Sequence, residues 1–249
     1  MAMTVPQTPT WQSLAAVAEA VRACQMCRLC GGRTNAVPGE GAPSASIMFI
    51  GEGPGANEDM QGRPFVGRAG RVLDQMLANV PLAREDVFIT NVVKCRPPEN
   101  RDPEPDEVAS CWPYLEAQIA LIRPRVIATL GRHSLYRFFP EAKISRDHGH
   151  ALRWRDIVIF PLYHPAAALR TTAVMEALAA DFRKLPDAIL ESLRLQPPGK
   201  RVTPNPTMAR AYVGGGPSPA AGGTATPPVP SDAPVATRDE DAKRQMTMF

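Results

Sequence analysis

The sequence predicts an α/β protein: a parallel sheet covered on both faces by helices. Three observations predict it. Short unbroken apolar runs, "SIMFIG", "VFITNVV", "RVIATL" and "DIVIFPLYHP", alternate with amphipathic segments, and strands buried on both faces of a parallel sheet read this way. Polar residues stand at or just past three of these runs, Glu52, Asn91 and His164, where such sheets bind their ligands. The chain has 249 residues, 44% of them hydrophobic, enough for one domain with a sizeable core.

Taken in order, Trp11 to Arg22 reads as a helix with Trp11, Leu14, Val17, Ala18 and Val21 on one face. Thr10 is its expected N-cap. Ser46–Gly51 is the first strand. The segment 67–80 is an amphipathic helix with Val72, Leu73, Met76, Leu77 and Val80 inward. Val87–Val93 is the second strand. The segment 104–122 is a helix opened by acidic residues and Pro105. Arg125–Leu130 is the third strand, and Gly131 opens a helix through Phe138. The segment 156–165 is the fourth strand. Val174 to Leu193 is a last helix, interrupted or kinked at Pro186. Strand order cannot be read from these patterns.

The 27 prolines are unevenly spread. From Gln196 onward the chain is Pro, Gly, Ala and Thr with almost no large apolar residues, too little to offset the entropy of ordering. The expected organisation is an N-terminal arm (1–10), a domain (11–195) and a disordered tail (196–249). Formal net charge is +3, which excludes a protein that coats nucleic acid by overall charge; an anionic partner must meet a local patch. No apolar run approaches the roughly 18 residues of a membrane span, and the N-terminus has no secretory pattern. The expected compartment is the cytoplasm.

In that compartment five cysteines serve as metal ligands or free thiols rather than disulfides. Cys24 and Cys27 form C-x-x-C after the first helix. Cys95 follows the second strand and Cys111 lies in the next helix, with 15 residues between them. Two separated pairs suit a tetrahedral metal site or an iron–sulfur cluster, and spacing does not separate the two. Cys30 is a fifth thiol.

The stretch "GEGPGANEDMQGRPFVGRAG" (51–70) is not G-x-G-x-x-G, because Pro54 interrupts the turn, and not a P-loop, because no G-K-[ST] follows. Its glycines let backbone approach a flat ligand. Glu52 and Glu58 supply acceptors and Phe65 a stacking face. Asn91 carries donor and acceptor, as a base edge requires, and His164 can donate to developing negative charge. Each also has a purely structural use: Glu52 as a cap, Asn91 in a turn, Phe65 in the core, His164 as a satisfied histidine. A metal-bearing nucleic-acid-binding module and a redox iron–sulfur protein are the competing classes.

The elements "CQMC", "GEGPGANEDMQGRPFVGRAG", "ITNVVKCRPPENRDPEPDEVASC", "LGRHSL" and "YHPAAALR" occur in one order over residues 11 to 193. Together they resemble the family 4, iron–sulfur type, uracil-DNA glycosylases. The resemblance implies a three-layer α/β/α fold with a four-stranded parallel sheet. It implies a 4Fe-4S cluster on Cys24, Cys27, Cys95 and Cys111, structural in role, with Cys30 free. It implies that Asn91 reads the uracil edge, that Phe65 stacks on the flipped base, and that backbone at Glu52 and Gly53 contacts the pyrimidine. Glu58 would lie near the thymine-methyl position or the attacking water, and His164 would face the O2 of uracil. Well-known relatives carry an Asp where this chain has Gly53; that role is vacant here or taken by Glu52 or Glu58. Ala166 stands where relatives often have Ser. A related branch that traps the sugar covalently uses a histidine between the second cysteine pair; this chain has none there.

The resemblance also implies uracil-containing DNA as substrate, met by a monomer on the nucleoid. The "HPAAALR" loop would enter the duplex with Ala167, Ala168 and Arg170, and Arg63, Arg68, Lys94, Arg96 and Arg146 would join Arg170 on the phosphates. The ending "QMTMF" (Gln245–Phe249) resembles the bacterial sliding-clamp pentapeptide, an anchor on a flexible tether.

Overall fold

The computed structural model describes residues 11–194. The expected arm and tail, with Gln245–Phe249, lie outside the described residues. In chain order the elements are α1 (Leu14–Ala23), β1 (Glu40–Gly41), β2 (Ile47–Gly51), α2 (Ala56–Gln61), α3 (Arg68–Ala78), β3 (Phe88–Asn91), α4 (Pro105–Ile122) and β4 (Val126–Leu130). They continue with α5 (Arg132–Tyr136), α6 (Ile144–Asp147), β5 (Leu152–Trp154), β6 (Ile157–Leu162), α7 (Pro165–Ala168), α8 (Thr172–Phe182) and α9 (Leu185–Arg194).

The sheet runs β1-β3-β2-β4-β6-β5. Its four central strands are the four apolar runs, and they pair in parallel. The sheet has six strands rather than the expected four, because β1 and β5 add short antiparallel edges. These edges are two and three residues long and none of their residues is buried, so they carry no apolar run to reveal them. Alternate residues of each central strand face opposite layers. Ile47, Phe49, Ile89, Ala128 and Phe160 join α3, α8 and α9 in one core. Met48, Ile50, Phe88, Ile127 and Ile159 join α1, α4 and α5 in the other.

The helices start where local chemistry satisfies their free N–H groups. Ser13, not Thr10, caps α1, its Oγ accepting from Ala16 N–H at 3.2 Å, so the helix begins three residues after Trp11. The expected last helix is two. Thr171 caps α8, the chain turns at Arg183, and Pro186 sits in the first turn of α9, where proline removes no helical hydrogen bond.

Strand order places the site. The connection from β2 leads to β3 on one side, and the connection from β4 leads to β6 on the other. The crevice of an open α/β sheet opens where the order reverses, outside the carboxyl ends of the strands. Here that point lies between β2 and β4, so the residues after Gly51 and after Leu130 share one edge.

Candidate active site

β2 and β3 end side by side, with Gly51 paired to Asn91. A Cβ on Gly51 would stand 2.4 Å from Asn91 Oδ1 and 2.6 Å from the Phe65 ring. Glycine is therefore required for both side chains to reach the same place. They line a cavity of about 470 Å³ with Glu52, Gly53, Glu58 and His164. Asn91 is 1% exposed and its Oδ1 has no hydrogen-bond partner among the described residues. A buried carbonyl left unpaired costs about 1–3 kcal/mol, so an unspent acceptor at a pocket wall marks a ligand position.

Phe65 is held in a left-handed backbone, φ 51°, which a bulky residue adopts only when its surroundings compel it. A Cβ on Gly70 would stand within bonding distance of the Phe65 carbonyl, so α3 packs against this turn only with glycine there. Arg84 donates to the Pro64 carbonyl and pairs with Glu40 and Asp74. Glu58 completes the clamp: Oε1 accepts from Val66 N–H at 2.9 Å and Gly67 N–H at 2.8 Å, and Oε2 accepts from Gly55 N–H at 3.2 Å. The Glu58 carboxylate borders the cavity, but both oxygens are committed to the loop that carries Phe65.

His164 closes the opposite wall, its ring 5.8 Å from that of Phe65. It is also the N-cap of α7: Nδ1 accepts from Ala166 N–H at 3.1 Å. A ring nitrogen that accepts is unprotonated, so the proton of the neutral ring sits on Nε2. Burial pushes the pKa down to about 4; the Glu58 charge opposes this and His133 adds to it. At neutral pH His164 is thus an uncharged imidazole with one N–H to donate. Gly131, at φ +92°, admits it, since a Cβ there would meet His164 Cβ at 3.0 Å.

Glu52 lines the cavity with its carboxylate half-buried, Oε2 3.8 Å from His133 Nε2; one ligand atom from each of Glu52, Asp102 and His133 lies within 4.8 Å of the others. Burial, then the Asp102 charge, raise the Glu52 pKa to about 7, with Arg132 opposing and a hydrogen bond to Asp102 adding to the rise. Arg132 Nη2 lies 3.0 Å from Asp102 Oδ2, and its Nε donates to His133 Nε2 at 2.8 Å. Burial lowers the His133 pKa, which suits a neutral ring accepting that bond. The sequence reading missed Asp102, Arg132 and His133. Its available signal was the "GRH" that follows β4 as "GEG" follows β2. A Cβ on Gly53 would meet Val93 Cγ2 at 2.8 Å, so an Asp there would displace Val93.

The four expected metal cysteines converge. Cys24, Cys27, Cys95 and Cys111 line one small cavity, with Cys30 and Arg33 at its wall. Their sulfurs already accept N–H groups: Arg33 Nη1 to Cys95 at 3.0 Å, Lys94 N to Cys111 at 3.2 Å and Met26 N to Cys24 at 3.4 Å. Burial raises the Cys95 thiol pKa and pushes that of Cys111 up to about 12. Four free thiols around one space, each buried or half-buried, fit a thiolate-bound metal or cluster.

The basic residues divide. Arg68 and Arg170 are exposed at the site's side of the molecule, Arg170 lining the cavity, and Ala167 lies one turn into α7, half-buried. Arg63 pairs with Glu40 and Arg146 with Asp147; Arg96 Nε donates to Asn100. Lys94 overturns its expectation as a phosphate contact. It is 1% exposed, and Nζ donates to Thr90 Oγ1, Asn91 O and Gln118 Oε1 at 2.6, 2.8 and 2.8 Å. Burial pulls its pKa down to about 7.

The family described as the uracil DNA glycosylase superfamily matches residues 38–186. The chain is 51% identical over 183 residues to a type-4 uracil-DNA glycosylase of Sulfurisphaera tokodaii, covering 70% of this chain and 83% of that one. A type-4 enzyme of Archaeoglobus fulgidus is 44% identical over 70% of this chain and 92% of its own. One from Thermotoga maritima is 47% identical over 62% and 82%.

Proposed function

This chain belongs to the uracil DNA glycosylase superfamily, and from that premise we infer that it is a hydrolase that cuts the N-glycosidic bond of uracil in DNA, leaving an abasic site. The observation that carries the reading is the pairing of an unspent Asn91 carboxamide with a neutral His164 N–H across one cavity.

Uracil inside a duplex must first leave the stack, at a few kcal/mol. The flipped base enters against Phe65. Asn91 Oδ1 accepts the N3–H of uracil; cytosine offers a lone pair there and is refused. As the C1′–N1 bond breaks, the bonding pair leaves with uracil and negative charge gathers on O2. The Nε2–H of His164 donates to it, and a donor already aimed at that charge lowers the barrier. Because His164 titrates near 4, it makes this donation as a neutral group at physiological pH. Water attacks the sugar carbon, and Glu52, at the cavity wall beside Asp102, takes its proton. Glu58 holds the Phe65 loop instead. The departing uracil anion takes a proton from solvent, which completes hydrolysis.

Arg68, Ala167 and Arg170 lie at the DNA side of this reading, and phosphate contacts make binding fall with salt. Cys24, Cys27, Cys95 and Cys111 would hold one 4Fe-4S cluster, a reading supported by their convergence around one cavity and by the family 4 resemblance. When bound it ties α1 to α4 and to the loop after β3; glycoside hydrolysis needs no electron from it. The ending Gln245–Phe249 is read as an anchor to a sliding clamp, tested by whether its deletion abolishes clamp capture while sparing activity on short oligonucleotides.

The deciding experiment incubates the purified protein with single- and double-stranded uracil-containing oligonucleotides, followed by alkaline cleavage. Strand scission at uracil is expected. Intact strands would overturn the assignment, and binding without scission would favour a module without chemistry.

A further inference from the structure

The water-attack step needs a group that orients water as well as one that takes its proton. Glu52 has a second carboxylate opposite it. Asp102 comes from the loop between β3 and α4, lines the same cavity, and lies within 4.8 Å of the Glu52 ligand atom. We propose that Asp102 is the second carboxylate of the water site, holding the attacking water against Glu52, with Arg132 fixing its position. This rests on the glycosylase reading above and adds a residue to it.

The surroundings favour a built position over a chance approach. Glu99 and Asn100, both at φ 55°, bend the loop back toward the sheet edge. Arg101 anchors it, with Nη2 and Nη1 at 2.6 and 2.9 Å from the carboxylate of Glu107, which is 0% exposed. Arg132 then clamps Asp102 at 3.0 Å, and His133 clamps Arg132 by accepting its Nε–H. The loop, α4 and α5 thus converge to hold one exposed carboxylate at a cavity wall.

In the step itself, one water O–H lies along Glu52 and the other along Asp102. The oxygen lone pair forms the C1′–O bond as the C1′–N1 pair leaves with uracil. The proton facing Glu52 passes to it, and the other remains on the new sugar hydroxyl. Proton and charge balance without any further reactant.

The arrangement has a consequence in pH. The charge on Asp102 raises the proton affinity of Glu52 and that of Arg132 lowers it. The remaining ionisable groups at the cavity do not confuse the readout. His164 titrates near 4, burial holds His133, 3.2 Å from Asp102 and 3.8 Å from Glu52, below the ordinary histidine pKa, Arg101 is paired with Glu107, and Glu58 is bound to three N–H groups. Activity should therefore rise with pH through a limb near 7 set by Glu52.

The test is the pH profile of kcat and KM for the full chain on a uracil-containing duplex, wild type against Asp102→Asn, Arg132→Gln and Asp102→Glu. In Asp102→Asn the acid limb is expected to move to lower pH while kcat on the plateau falls about tenfold and KM holds. In Arg132→Gln the limb moves to higher pH. Asp102→Glu recovers part of kcat and restores the direction of the limb. Wild-type kcat and limb in Asp102→Asn overturn the proposal. So does a loss of kcat that merely tracks a lower melting temperature, with the limb unmoved. An inactive wild type fails the glycosylase reading instead, and the two failures are distinguishable.

Discussion

The strand-end cavity and the cysteine cluster sit at either end of one short segment, Asn91 to Cys95, and treat polar groups in opposite ways. At the cysteines, sulfurs accept from Arg33, Lys94 and Met26 around one small cavity. At the strand-end cavity, Asn91 Oδ1 is left without a partner among the described residues, Glu52 faces a second carboxylate, and Phe65 is held in a strained conformation. Lys94 joins the two, its N–H on Cys111 and its ammonium on the Asn91 carbonyl. The difference separates what holds the fold from what acts on a substrate: a structural centre uses up its hydrogen bonds, and a reactive one keeps some in reserve.

The comparison can be broken first at the cysteines, where the effect should be greatest. If the cysteines hold a cluster as proposed, Cys111→Ser should leave the protein without iron and lower the melting temperature by more than about 10 °C, because binding energy of such a group is also folding energy. Iron analysis and a thermal melt check this, and a stable, iron-loaded variant would reverse the structural assignment. At the pocket, Asn91→Ala and His164→Ala should each cost about 10²–10³ in kcat, the usual loss of a preorganised charge-stabilising donor or reader, with melting temperatures near wild type. Single-turnover assays would show it.

Glu58→Ala is intermediate, since Glu58 is a clamp within the reactive region. Losing the hydrogen bonds to Val66, Gly67 and Gly55 frees the Phe65 loop. A fall in kcat/KM of about tenfold is expected, with faster proteolysis between Gln61 and Arg68. Unaltered proteolysis with a large kcat loss would instead put Glu58 in the chemistry. The smallest effect is expected at the rim. Arg170→Ala should raise KM a few-fold and reduce the salt slope of binding by about one, with kcat unchanged.

Much of this was legible beforehand for a local reason. Strands buried on both faces must be apolar at every position, so β2, β3, β4 and β6 were visible as runs, and the residues ending them were visible as pocket candidates. Cys24, Cys27, Cys95 and Cys111 were visible because metal ligands need reactive thiols in separated pairs. β1 and β5 were not, because two or three unburied residues exist as strands only through their neighbours. Pro186 suggested a break, and the break falls just before it, at Arg183 and Lys184, where α8 ends and α9 begins.

By itself, then, the sequence determined the layered α/β class, the thiol set and the identities of Asn91, Phe65 and His164, since periodicity and residue chemistry are local properties. Only the tertiary structure decided how those groups are spent. Strand order brings the loop after β4 beside Glu52, which no local pattern encodes. Glu52 and Glu58 look alike in the chain, yet one meets three backbone N–H groups and the other meets a second carboxylate. Lys94, a surface cation by its type, is buried by the segment that links both centres. A side chain's role follows from which partners reach it, and those partners come from distant parts of the chain.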